Sequence, residues 1–61
     1  MKYSELEKIL RRAGCRIERE GRNHTIWYSP ITGKTFPVGR HQTQDVKKGT
    51  LKSIKDAAGL E

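Results

Sequence analysis

Apolar positions near the start of the chain recur with a helical period. Leu6, Ile9, Leu10 and Ala13 fall at i, i+3, i+4 and i+7, one stripe along a helix. Ser4 precedes the stripe as an N-cap candidate, and Glu7 follows three residues later, as in a capping box. Gly14 comes after the last periodic position and suits the left-handed residue that ends a helix. The spacing predicts a helix over 4–13.

The period then drops to two. Cys15 and Ile17 take one parity, Arg16 and Glu18 the other, which predicts a short half-buried strand over 15–20. Gly21, Arg22 and Asn23 are a turn signal. Residues 25–29 are β-branched and aromatic and read as a second strand. Pro30 to Gly33 make another turn, and 34–38 a third strand, with Phe36 and Val38 on the core side. Pro37 has no N–H for a ladder, so this strand is an edge or ends there.

Residues 39–49 are polar and loop-like. Thr50 is an N-cap candidate for a second helix that carries Leu51, Ile54 and Ala58 at helical spacing. Gly59 and Leu60 predict a Schellman ending with Leu60 folded back on the helix. The order is α-β-β-β-α. The expected fold class is α+β: a three-stranded antiparallel sheet with both helices on one face. Order and length match the double-stranded-RNA-binding-domain shape in shortened form.

Composition narrows the function. A chain of 61 residues is a single domain, 1–61. Such a chain buries only ~60% of its unfolded surface, so a site must lie on an open face or beside a partner. Thirteen Lys and Arg against seven Asp and Glu leave a net charge of +6, and the pI is about 9.9. That balance points to an anionic partner: nucleic acid, an acidic protein or a membrane surface. The longest apolar run is Ile26-Trp27-Tyr28, far short of the ~20 residues a spanning helix needs. The opening residues carry no signal-peptide core. Cys15 stands alone, which excludes an internal disulfide and a cysteine zinc site. The expectation is a cytoplasmic chain without metal, cofactor or membrane contact.

His24 follows Gly21-Arg22-Asn23 at the mouth of the second strand. Histidine is the side chain whose ordinary pKa lies near neutrality. It can take a proton from a ribose 2′-hydroxyl, or give one to a leaving oxygen, without a metal. The alternative is a strand-end histidine that bonds only backbone. Parity puts His24, Ile26 and Tyr28 on one face and Thr25, Trp27 and Ser29 on the other. If Ile26 points to the helices, His24 tends that way too, and must emerge at the end of the sheet to act. His41 supports at most.

Basic residues surround these positions. Lys48, Lys52 and Lys55 recur at i, i+4 and i+7 on the second helix and its entry, and Lys47 adds to them where a helix N-terminus attracts phosphate. Arg22 and Arg40 lie in the loops, and Arg16 and Arg19 in the first strand. With Arg22, Arg40 and His41, the four lysines are the expected RNA-binding set. An exposed Trp27 or Tyr28 beside them could stack on an unpaired base.

Several segments together resemble the HicA toxins. They are Gly21-Arg22-Asn23-His24, Thr25-Ile26-Trp27-Tyr28, Phe36-Pro37-Val38, Arg40-His41, the run from Lys48 to Ile54, and Ala58-Gly59-Leu60. The resemblance covers nearly the whole chain. It departs at Arg22, where the family often has a small residue such as Ser. It implies a small ribonuclease of a toxin–antitoxin system that cleaves mRNA, with the catalytic histidine at His24. It also implies a HicB-type antitoxin partner that covers the active face. Two other readings stand beside it: a non-catalytic RNA-binding module of the same fold, and an interaction protein whose charge serves an acidic partner.

Overall fold

The computed structural model describes residues 1–60. It runs α1 (Tyr3–Arg12), β1 (Arg16–Glu20), β2 (His24–Tyr28), β3 (Thr35–Gly39) and α2 (Lys48–Ala58). The strands form one antiparallel sheet in the order β1-β2-β3. The core joins Leu6 and Leu10 of α1, Ile54 and Ala58 of α2, and Trp27, Phe36 and Val38 of the sheet. Trp27 pairs with Phe36, and Val38 with Thr25, so the buried strand residues share one face. Both helices therefore cover that face, as the α+β reading expects.

Both helices end as their glycines predict. Gly14 takes a positive φ of 91°. Its N–H donates to the Arg11 carbonyl, and the Cys15 N–H reaches the Leu10 carbonyl. Gly59 has φ 81°, and the N–H groups of Gly59 and Leu60 donate to the Asp56 and Lys55 carbonyls. Each is the paired bond of a Schellman turn.

The helix starts differ from the sequence reading. α1 begins at Tyr3 with Lys2 as its cap position, so Ser4 is a helical residue rather than the cap. The Lys2 N–H donates to Glu5 Oε1 at 3.1 Å. The N–H groups of Tyr3 and Ser4 donate to the Gln44 and Gln42 carbonyls at 3.1 and 3.2 Å. A distant loop does the capping, which local spacing could not reveal. α2 likewise begins at Lys48, not after Thr50, with Lys47 extended at its cap position. Val46 is buried in the core and its N–H donates to the Met1 carbonyl at 2.8 Å, so the chain is anchored just ahead of α2.

β1 also departs from expectation. It is exposed along its whole length rather than half-buried. Ile17 faces the helix side, opposite Trp27, yet stays 40% exposed. The helices cover β2 and β3 and leave this edge strand bare. Only Cys15, just before it, is buried.

The β2–β3 connection ties the sheet to α2. Buried Ser29 donates through Oγ to the Ala58 carbonyl at 2.6 Å, and Oγ accepts from the Ile31 N–H at 3.2 Å. Thr32 Oγ1 donates to the Ala57 carbonyl at 2.6 Å. These hydroxyls satisfy carbonyls that the end of a helix leaves without partners.

Candidate functional site

The turn before β2 sets the position of His24. The Gly21 N–H donates to the His24 carbonyl at 2.7 Å. A Cβ on Gly21 would lie 3.0 Å from that same carbonyl oxygen, tighter than nine in ten real Cβ contacts. Glycine therefore permits the tight approach that closes the turn. Arg40, just past β3, clamps it: its guanidinium donates to the Gly21 carbonyl and pairs with Glu20 at 3.3 Å.

Which way His24 points follows from the core. Trp27 is 1% exposed and faces the helices, so His24, Ile26 and Tyr28 face the other side of β2. That side is the uncovered face of the sheet. His24 is exposed there and need not emerge around a strand end. Its partner across the strand is Gly39, which places no side chain beside the imidazole.

A β-bulge completes this face. Arg16 pairs with Tyr28 and Arg19 with Ile26, with a register shift between Ile17 and Arg19. Strict alternation would send Arg16 and Arg19 to opposite faces. The extra residue in β1 brings both to the open side, as bulges re-aim side chains. The Arg16 guanidinium stands 4.7 Å from the centre of the Tyr28 ring, a cation–π pair on that surface. The face thus carries Arg16, Arg19, His24, Ile26 and Tyr28. Neither arginine belongs to the RNA-binding set expected from the sequence. The burial of Trp27 fixes which face of β2 is open, but the bulge that brings both arginines to it carries no signal in the alternation of β1.

The expected site residues divide into three groups. Arg22 is exposed in the turn just before His24, and His41 is exposed two residues past Gly39, so both lie at the His24 end of the sheet. Arg40 is there too, engaged with Gly21 and Glu20. Lys47, Lys48, Lys52 and Lys55 are elsewhere, at the start and along α2 in the helix layer. Lys48, Lys52 and Lys55 line a groove with Leu51, Asp56 and Leu60 that includes no strand residue. The structure does not bring them to His24. Among the described residues, no three His, Cys, Asp or Glu side chains gather as metal ligands, and no helix is long and apolar enough to cross a membrane.

Fold and site together define a small basic α+β domain with an open sheet face, rich in arginine, around one exposed histidine. A family model described as the HicA toxin of bacterial toxin–antitoxin systems matches residues 3–60. The chain belongs to the HicA toxin family, and that membership makes it the toxin of a pair with a cognate antitoxin. Neither the curated proteins nor the solved structures include a match to it.

Proposed function

We propose that the chain is an endoribonuclease that cleaves mRNA on the open face of its sheet, with His24 as the acid–base group. The observation that carries this reading is the exposure of His24 on a face flanked by Arg16 and Arg19, beside a turn that glycine and Arg40 hold tight. Family membership supports the ribonuclease class, because HicA toxins are generally ribonucleases.

RNA contains its own nucleophile, the 2′-hydroxyl beside each phosphate. In the proposed step a ring nitrogen of His24 takes the 2′-hydroxyl proton. The 2′-oxygen bonds to phosphorus, the bond from phosphorus to the 5′-oxygen breaks, and that oxygen leaves after taking up a proton. The products are a cyclic phosphate and a 5′-hydroxyl end. By microscopic symmetry His24 can instead supply the proton to the leaving oxygen. The imidazole works without a metal in either role. Arg22 is the nearest uncommitted cation in sequence to the imidazole and stabilises charge developing on the phosphoryl oxygens. Tyr28 under Arg16 offers a ring on which an unpaired base stacks. A HicB-type antitoxin, as the resemblance implies, neutralises the toxin by covering this face.

The Arg16–Tyr28 pair also suits a non-catalytic RNA-binding module of the same fold. Cleavage of RNA by the purified chain in excess chelator, beside His24→Ala, separates the two. Cleavage by the wild type alone, ending in cyclic phosphate, is the expected result. Products with only 3′-hydroxyl ends overturn the mechanism. Binding without cleavage by either protein selects the module.

A further inference from the structure

The groove along α2 lies outside the proposed RNA face and has its own chemistry. Its volume is about 460 Å³. Leu51 and Leu60 line it and remain only partly buried, although both pack against the core from beneath. Lys48, Lys52 and Lys55 border it, with Asp56 as the one carboxylate in its lining. None of these lysines is in an ion pair among the described residues. The groove is preformed. The Schellman turn at Gly59 folds Leu60 back against α2, and Ser29 and Thr32 hold the carbonyls of Ala58 and Ala57 just before it.

We infer that this groove seats an amphipathic acidic segment of the antitoxin, as a grip separate from the His24 face. The inference rests on the family's antitoxin partner and not on the ribonuclease reading. Charge complementarity names the occupant: ammonium groups on the border with no carboxylate partner among the described residues call for carboxylates. The apolar floor decides between partner classes. An RNA backbone would satisfy the lysines and gain nothing from Leu51 and Leu60. A peptide carrying apolar residues between acidic ones satisfies both. At 1.5 Å per residue the 11-residue α2 is about 16 Å long, enough to support two to three turns of a partner helix laid in a groove. The groove belongs to the helix layer, so a segment seated there leaves the open sheet face free. The antitoxin can then hold the toxin at two points.

The test measures the affinity of the full chain for its cognate antitoxin and, separately, for a short single-stranded RNA. The variants are Lys48→Glu with Lys52→Glu, and Leu60→Ser. Each is expected to weaken antitoxin binding about tenfold or more. The charge reversal acts mainly on association and Leu60→Ser on dissociation. RNA affinity is unchanged in Leu60→Ser, and in the charge-reversal variant it falls severalfold less than antitoxin affinity, through the lower net charge alone. Lys48 and Lys52 are exposed, so the charge reversal decides the matter even if Leu60→Ser fails to fold. Unchanged antitoxin affinity in the charge-reversal variant overturns the inference. So does a fall in RNA affinity as large as the fall in antitoxin affinity, which would make the groove an RNA surface.

Discussion

His24 illustrates how far one residue depends on its surroundings. Its chemistry is legible from residue type, but its accessibility follows from the burial of Trp27 three positions away. Being exposed on an uncovered face, it contributes little to the core. His24→Ala is therefore expected to abolish RNA cleavage while the thermal unfolding curve and antitoxin binding stay intact; a variant that fails to fold would make His24 structural. Ser29 is the converse case. No nucleophile motif surrounds it, and it proves to be a fully buried link between the sheet and α2. Ser29→Ala leaves the Ala58 carbonyl without its partner. The expected loss is about 1–3 kcal/mol, and for so small a domain each kcal/mol lowers Tm by about 4–8 °C. Calorimetry checks this, and cleavage below the new Tm should be unchanged.

The elements show where local rules hold and where they fail. Helix ends were legible because Gly14 and Gly59 answer a purely local demand for left-handed backbone. Helix starts were not, because the Gln42 and Gln44 carbonyls that cap α1 come from a loop some forty positions on. The two left-handed glycines at Gly33 and Gly59 make a paired prediction. A Cβ at Gly33 meets nothing within 4 Å, whereas at Gly59 it would lie 2.7 Å from Ile31 Cγ2. Gly33→Ala should cost about 1–2 kcal/mol of backbone strain. Gly59→Ala should cost measurably more in denaturant unfolding, because it adds a clash to the same strain. β1 teaches a different lesson. Alternation separates Arg16 from Arg19, and the bulge reunites them. Arg16→Ala and Arg19→Ala should thus weaken binding of single-stranded RNA to a similar degree. Each should reduce the slope of log affinity against log salt by about 0.7. An effect from only one of them would mean that RNA does not run along this face.

At the scale of the whole molecule, two groups of cations within the net charge of +6 stand on separate surfaces. The arginines of β1 share the open sheet face with His24, and the lysines of α2 line a groove in the helix layer. The sequence groups the α2 lysines with Arg22, Arg40 and His41 as one RNA-binding set and leaves the β1 arginines outside it. Folding separates the two groups with a three-stranded sheet, and the two surfaces need not serve the same partner. Steep salt dependence is therefore expected of RNA binding through the sheet face. Antitoxin binding should respond less to salt, since part of it rests on Leu51 and Leu60; titrations at two ionic strengths compare the slopes.

The sequence alone determined what depends on near neighbours. Those features are the element order, the α+β class, the glycine stops, and the histidine suited to acid–base chemistry. Each follows from side-chain period, backbone freedom or residue chemistry within a few positions. Only the tertiary structure decided which face of β2 is inward, that β1 is bare on both sides, which carbonyls cap α1, and which cations stand with His24. Those outcomes depend on which apolar groups the helices can reach and cover. Packing chose Trp27 over Ile26 for the core, and that choice turned His24 and its arginines outward.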